Sequence, residues 1–230
     1  MTEKNQAVLA QLHGGLIVSC QALPEEPLHS SFIMSRMALA AKLGGAVGIR
    51  ANTVADISAI RETVDLPVIG IIKQVYPDSD VYITPTMAEV EALTACAPEI
   101  IALDATCRPR PAGRALADFF AEVRARWPEQ LFMADCSSFE EGMAAAAMGF
   151  DLIGTTMAGY TPYTKGCELP PYTMIRALVE QCGKPVVAEG NISTPEQLRR
   201  AMDLGIHTAV VGGAITRPLQ ITQRFVAALQ

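Results

Sequence analysis

The segment LFMADCSSFEEGMAAAAMGFDLIG, residues 131–154, contains the strand–helix–strand unit from which the fold can be predicted. Apolar runs at 131–134 and 152–154 flank a stretch at 139–148 that has helical spacing of Ala, Met and charged residues. Neither apolar run alternates with polar residues. Such runs are typical of parallel strands that are buried on both faces.

The boundaries of the helices in this pattern are also legible. Ser138 precedes Glu141 at the spacing of a capping box, and Gly149 stands where a helix commonly ends. Thr194 followed by Pro195 has the form of an N-cap with proline at the first helical position.

The same unit recurs along the chain. Apolar runs occur at 16–20, 46–49, 68–72, 100–103, 131–134, 152–154, 186–188 and 209–211. Helix-like stretches occur at 31–43, 54–64, 87–96, 112–126, 139–148, 173–182, 195–204 and 218–229. Eight such units in 230 residues predict an α/β fold, a single-domain (β/α)8 TIM barrel over residues 1–230 with a short N-terminal helix at 1–13. A doubly wound open sheet is disfavoured because no G-x-G-x-x-G motif follows an early run.

Composition excludes several classes of protein. Half of the residues are hydrophobic and 18% are charged, so the chain is too apolar to be disordered. A net charge of −6 argues against a nucleic-acid partner and against a polybasic membrane surface. We see no apolar run of the ~18 residues that a spanning helix needs, and no leader-like N-terminus, so we expect a cytoplasmic protein with reduced thiols.

Charged side chains follow five of the apolar runs. In a barrel the carboxyl ends of all strands meet at one mouth, so we expect these side chains to converge there. They are Arg50, Lys73, Asp104, Asp135 and Glu189. A buried lysine suits a general base or a Schiff-base former, and Lys73 is the best candidate for the chemistry. We expect Arg50 to lower the pKa of Lys73 and Glu189 to raise it.

Two glycine-bearing loops indicate a phosphate site. Gly190 and Asn191 follow the seventh run, and Gly212 and Gly213 follow the eighth. Glycines allow backbone N–H groups to approach an anion, and barrels commonly hold phosphate at these units. Arg217 lies close behind in the sequence and is a further candidate.

Metal catalysis and a serine nucleophile have little support. None of His13, His29 and His207 directly follows an apolar run, and no G-x-S-x-G motif occurs. We therefore expect no metal ligands among the histidines.

Nine segments, in order and across most of the chain, give it a family resemblance. They are GGLIVSCQA (14–22), GIRAN (48–52), PVIGIIK (67–73), ITPT (83–86), ALDAT (102–106), MADCS (133–137), IGTTMAGYT (153–161), AEGNI (188–192) and VGGAITRP (211–218). In these segments the chain resembles the N-acetylmannosamine-6-phosphate 2-epimerases of sialic-acid catabolism.

The resemblance implies interconversion of N-acetylmannosamine 6-phosphate and N-acetylglucosamine 6-phosphate, with no metal and no organic cofactor. It implies that Lys73 and Glu189 form the catalytic pair. The substrate ligands that it implies are Gln21, Arg50, Asp135 and Arg217. Further expected substrate contacts follow the sixth run, at Thr155, Tyr160 and Thr161.

Other functions remain open at this point. Lys73 would also suit a Schiff-base aldolase on the same fold. A metal-dependent pentose-phosphate epimerase is a weaker alternative, and a non-catalytic phosphosugar sensor would use the glycine loops without Lys73 or Glu189. We expect a homodimer.

Overall fold

The computed structural model describes residues 2–229 and contains a closed barrel of eight parallel strands. Each strand pairs with the next along the chain, and the last pairs with the first in the register Ile17 to Val210. The strands are β1 (Leu16–Cys20), β2 (Gly48–Asn52), β3 (Val68–Ile71), β4 (Ile100–Asp104), β5 (Leu131–Asp135), β6 (Leu152–Gly154), β7 (Val186–Glu189) and β8 (Thr208–Val211). The predicted (β/α)8 barrel is confirmed.

Helices surround the barrel and close one of its ends. They are α1 (Glu3–Leu12), α2 (Ser31–Leu43), α3 (Val54–Thr63), α4 (Met87–Cys96), α5 (Leu116–Arg126), α6 (Phe139–Met148), α7 (Tyr172–Gln181), α8 (Pro195–Met202) and α9 (Pro218–Ala227). The predicted N-terminal helix is α1, and Met1 of that prediction lies outside the described residues.

The predicted helix caps are present. Ser138 Oγ accepts a hydrogen bond from the Glu141 N–H at 3.3 Å, and the Glu141 carboxylate accepts one from the Ser138 N–H at 3.2 Å. Thr194 Oγ1 accepts from the Gln197 N–H at 3.2 Å. Both motifs satisfy N–H groups that have no partner within the helix.

Two kinds of boundary differ from the prediction. The fifth helix begins at Leu116 and not at 112, because Pro111–Gly113 forms a separate 3-10 turn in which Ala112 has a φ of 58°. Several strands are longer than their apolar runs, since β4, β5 and β7 end on the charged residues Asp104, Asp135 and Glu189. Backbone pairing continues there, while the side chains reach the polar end of the barrel.

The amino-terminal end of the barrel is filled by α1. Val8, Leu9 and Leu12 pack into one cluster with the apolar residues of the barrel interior. The approach is close at Gly48, where an added Cβ would lie 2.7 Å from a Leu12 methyl carbon. His207 Nε2 contacts the Leu9 carbonyl at 2.9 Å and anchors the end of α1. Function is therefore to be sought at the opposite end, where the strands finish.

Hydropathy agrees with the absence of long apolar runs in the sequence. Within residues 2–229, no helix has both the length and the apolar character needed to span a membrane.

Candidate active site

A cavity of about 1040 Å³ opens at the carboxyl ends of the strands. Its wall brings together most of the side chains and loops that the sequence predicted for the site. These are Gln21, Arg50, Lys73, Tyr160, Glu189, Gly190, Asn191, Gly212, Gly213 and Arg217.

Strand periodicity explains how the catalytic candidates reach this cavity. Every second residue of a strand faces the barrel interior, so the next inward position beyond the apolar layer lies at the mouth. Ile71 is in the interior cluster, and two residues later Lys73 lines the cavity. Val187 is in the same cluster, and two residues later comes Glu189.

The Arg50 guanidinium connects two carboxylates at the mouth. It is 1% exposed, and its Nη1 and Nη2 donate to the two oxygens of Asp135 at 3.0 and 2.6 Å. Nη1 also donates to Glu189 Oε2 at 2.7 Å. One buried cation is thus shared by two acids that come from different strands.

Glu189 therefore has an environment unlike that of a surface carboxylate. Burial raises its pKa, the positive charge of Arg50 lowers it and the negative charge of Asp135 raises it, with a result of about 7. Its Oε2 lies against Arg50 and against Thr156 Oγ1, at 3.2 Å from the latter. Its Oε1 accepts no hydrogen bond from the residues that the structure describes, so this oxygen is available to a ligand.

Lys73 is held by its backbone while its amine is left free. Its N–H donates to Asn52 Oδ1 at 2.8 Å, and the residue pairs with Ile83 across a short antiparallel bridge. Nζ makes no hydrogen bond or ion pair with any residue in the range 2–229. Burial lowers the pKa of Lys73 to about 8, helped by Arg50 and Arg217 and opposed by Glu189. The expected directions for Arg50 and Glu189 are confirmed.

Gln21 presents an unsatisfied acceptor at the cavity. Its side chain is 7% exposed, and Nε2 donates to Ser19 Oγ at 2.8 Å. Its Oε1 is buried and has no partner among the described residues. A buried acceptor without a donor is costly, so this oxygen is suited to a hydroxyl or amide N–H of a ligand.

The two glycine loops expose a group of unpaired backbone donors. Within the described part of the chain, no acceptor pairs with the N–H groups of Gly190, Asn191, Gly213 or Ala214. Gly190 has a φ of 106°, a conformation that only glycine adopts easily, and Asn191 follows at 58°. Unpaired N–H groups from two loops that line the same cavity are suited to binding an anion.

Three of the predicted substrate ligands lie behind the cavity wall. Asp135 is fully buried under Arg50, and its Oδ1 also accepts from Thr156 Oγ1 at 2.6 Å. Thr155 Oγ1 donates to the Glu189 carbonyl at 2.8 Å and accepts from the Glu189 N–H at 3.1 Å. The Thr161 hydroxyl is paired with that of Thr164 at 2.6 Å. The structure therefore places Asp135, Thr155 and Thr161 as supports of the wall and not at its surface.

Asp104, the fifth charged residue after an apolar run, also lies outside the cavity wall. It is 1% exposed and pairs with Arg108 Nη2 at 2.7 Å. Asp104 and Asp135 do not line the cavity as expected: the Asp104 side chain turns to Arg108, and Asp135 lies at the mouth beneath Arg50.

Thr156 and Tyr82 are among the cavity-lining residues that were not predicted from the sequence. The inward positions of β6 are every second residue, Leu152 and Gly154, and the next such position is Thr156. The two-residue period of a strand would therefore have predicted Thr156, and not Thr155, in the cavity wall. Tyr82 lies in the loop that returns to pair with Lys73, and no periodic signal marks it. Burial raises the pKa of Tyr82 to about 12, so its hydroxyl remains a neutral donor, and its polar contact is Met157 Sδ at 3.8 Å.

Two of the histidines and two of the cysteines are packed away from the cavity wall. His13 and His207 form an edge-to-face pair beside α1, at the filled end of the barrel. Burial raises the pKa of the Cys20 thiol to about 12 and that of Cys136 well above its usual value. No group of three His, Cys, Asp or Glu side chains in residues 2–229 is placed to hold a metal ion.

Comparisons with known proteins agree on one family. The family model described as "Putative N-acetylmannosamine-6-phosphate epimerase" matches residues 34–230. A protein of Enterobacter sp. (strain 638), named "Putative N-acetylmannosamine-6-phosphate 2-epimerase", is 58% identical over 98% of this chain and 97% of its own. A protein of the same name from Lactiplantibacillus plantarum is 54% identical over 96% of this chain and 98% of its own.

A solved structure agrees with these relatives. That of the N-acetylmannosamine-6-phosphate 2-epimerase from Clostridium perfringens is 53% identical, with a TM-score of 0.91. The match covers 96% of this chain and 95% of that one.

The buried cation at Arg50 gives a prediction for stability. Arg50→Ala leaves the Asp135 carboxylate buried without its partner, and we expect the free energy of unfolding to fall by about 3 kcal/mol in urea titrations followed by circular dichroism. Asp135→Asn added to Arg50→Ala should recover part of this loss, because it removes the uncompensated charge.

Arg126→Ala is the matched control, since Arg126 pairs with Glu91 on the surface, where the side chains are 52% and 47% exposed. This change should cost less than about 1 kcal/mol. Equal losses in Arg50→Ala and Arg126→Ala would contradict the structural importance of the buried pair.

Proposed function

Because the chain belongs to the N-acetylmannosamine-6-phosphate 2-epimerase family, we propose that it interconverts N-acetylmannosamine 6-phosphate and N-acetylglucosamine 6-phosphate by proton transfer at C2. One observation carries the mechanism: Lys73 and Glu189 line the same cavity with pKa values of about 8 and about 7. The site therefore holds an amine and a carboxyl that can exchange roles near neutral pH.

The reaction requires a base, an acid and a carbonyl. The proton on C2 is acidic only beside a carbonyl, so the sugar reacts as its open-chain aldehyde. We assign removal of this proton to the neutral Lys73 amine, after which the electron pair enters the C1–C2 bond and O1 carries the charge of an enolate. We assign return of a proton to C2, on the other face, to the Glu189 carboxyl through its free Oε1.

The two directions of reaction use the same pair in opposite states. After one passage Lys73 is protonated and Glu189 is ionised, which is the state that the reverse passage needs. Similar pKa values make the two states similar in energy, as a reversible isomerisation requires. The neutral hydroxyl of Tyr82 can donate a hydrogen bond to a sugar oxygen in this cavity.

The phosphate anchors the end of the sugar that does not react. We assign it to the unpaired N–H groups of the Gly190 and Gly213 loops and to Arg217. Binding energy from this end can fix C2 between the base and the acid. Gln21 Oε1 can accept a hydrogen bond from the amide or a hydroxyl of the sugar.

Exchange at C2 tests the catalytic pair. In heavy water the wild-type protein should introduce deuterium at C2 of N-acetylmannosamine 6-phosphate, as seen by proton NMR. Lys73→Ala and Glu189→Gln should each lose this exchange by about 1,000-fold, because general acid–base groups commonly contribute that much. Lys165→Ala, at an exposed lysine outside the cavity, should exchange normally.

Normal exchange by Lys73→Ala would remove Lys73 from the role of base. Trapping of a covalent adduct by borohydride in the presence of substrate would instead indicate a Schiff base on Lys73.

The pair also predicts the pH dependence. Below about 7 both groups carry a proton and no base is present, whereas above about 8 neither does and no acid is present. Plots of kcat/KM against pH should therefore be bell-shaped in both directions, with their maximum between these values. A rate that rises through 8 to a plateau would show that Glu189 is not needed as an acid.

We infer a homodimer from the exposed face of α9. No residue of Pro218–Ala227 is buried, and Phe225 and Val226 are 74% and 49% exposed. Exposed large apolar side chains that adjoin one another mark association surfaces.

Phe225→Glu should convert the dimer to a monomer in light scattering, because it places a charge on this face. Phe32→Glu, at a 65% exposed position on α2, should leave the assembly unchanged. A monomeric wild type, or a dimeric Phe225→Glu, would contradict the inference.

A cytoplasmic location fits this reaction. All six cysteines are free thiols, as expected in a reducing compartment, and the phosphorylated substrate carries a charge that prevents passage through membranes.

A further inference from the structure

The loop between β1 and α2 forms one wall of the cavity and carries an acidic residue at the phosphate end. Leu23, Pro24 and Glu25 line the cavity. Glu26 closes a turn, in which its N–H donates to the Leu23 carbonyl at 2.8 Å and its Oε2 accepts from the Leu23 N–H at 2.7 Å. The loop itself thus fixes one oxygen of the Glu26 carboxylate.

The second oxygen of that carboxylate binds Arg217. Glu26 Oε1 lies 3.1 Å from Arg217 Nε, and the two side chains are 20% and 27% exposed. Nη1 and Nη2 of Arg217 have no partner among residues 2–229. A guanidinium offers its donors in a rigid fork, so a carboxylate at Nε fixes the plane and leaves the terminal nitrogens for another acceptor.

The position of this pair indicates what that acceptor is. Arg217 follows the Gly212–Gly213 loop and lines the cavity together with it. The charges of Arg217 and Glu26 both act on the pKa of Lys73, in opposite directions, so the pair lies within the electrostatic range of the amine. An unpaired carboxylate at this position would repel an anion. In the pair, the positive charge of the Arg217 guanidinium offsets the negative charge of Glu26.

We propose that Glu26 is a positioning residue for the substrate phosphate, which holds Arg217 so that its two terminal nitrogens can bind the phosphate oxygens. The inference rests on the proposed function, in which Arg217 is a phosphate ligand. It also links the phosphate end to the loop that begins at Gln21, so anchoring the anion steadies the wall that contacts the sugar.

Steady-state kinetics with N-acetylmannosamine 6-phosphate test this role. Glu26→Ala should raise KM by about 10-fold with kcat nearly unchanged, because a loosely held Arg217 binds phosphate less well. Glu26→Gln should restore only part of the loss, because its single amide oxygen can face either Arg217 Nε or the Leu23 N–H and carries no charge. Inorganic phosphate, used as a competitive inhibitor, should show the same order of affinities.

Glu62→Ala is the control, because Glu62 is exposed on α3, lies outside the cavity wall and has no ion pair among the described residues. It should leave KM unchanged. Arg217→Ala should raise KM at least as much as Glu26→Ala, and the double variant should be no worse than Arg217→Ala alone.

The outcomes separate this inference from the one that it rests on. If Arg217→Ala raises KM while Glu26→Ala lowers it or leaves it unchanged, Glu26 acts by repulsion or not at all, and the positioning role is overturned. If Arg217→Ala leaves KM unchanged, the assignment of Arg217 to the phosphate is itself wrong.

Discussion

The mouth of the barrel depends on one buried guanidinium shared by two carboxylates. Arg50 comes from β2, Asp135 from β5 and Glu189 from β7, so the contact joins three sides of the barrel. Burying these charges is tolerated because each is paired. A single cation cannot fully compensate two acids, however. Asp135 accepts from both terminal nitrogens and Glu189 from one of them, and burial, together with the negative charge of Asp135, still raises the pKa of Glu189 to about 7. A constraint of packing thus produces the acid that the proposed mechanism requires.

The Lys73 amine acquires its altered pKa by different means. β3 ends at Ile71, and the chain returns to pair Ile83 with Lys73, which fixes the backbone while Nζ stays free. Burial then disfavours the charged amine, and two arginines reinforce the effect. Glu189 is an acid that is easier to protonate than usual, and Lys73 is a base that is easier to deprotonate. Their convergence near pH 7–8 follows from environment, since neither residue has such a pKa in water.

Much of this arrangement could be predicted from the sequence, and the failures have physical reasons. Apolar runs followed by Arg50, Lys73 and Glu189 suffice to predict a barrel with a charged mouth. Whether a side chain reaches the cavity depends on which face of the strand it occupies and on which side chains cover it. Thr155 points away from the cavity because it is one residue away from an inward-facing position of β6. Asp135 is covered by Arg50. Tyr82 and the contact of Glu26 with Arg217 arise in loops, where no period constrains the chain.

The filled floor of the barrel has a practical consequence. Because α1 seals the end opposite to the mouth, anything joined to the protein ahead of α1 would emerge on the far side from the cavity. Immobilisation on a bead or fusion to a carrier through that end would leave the opening directed toward bulk solution. The tether would then neither obstruct diffusion of sugar phosphates nor alter the charges that surround them.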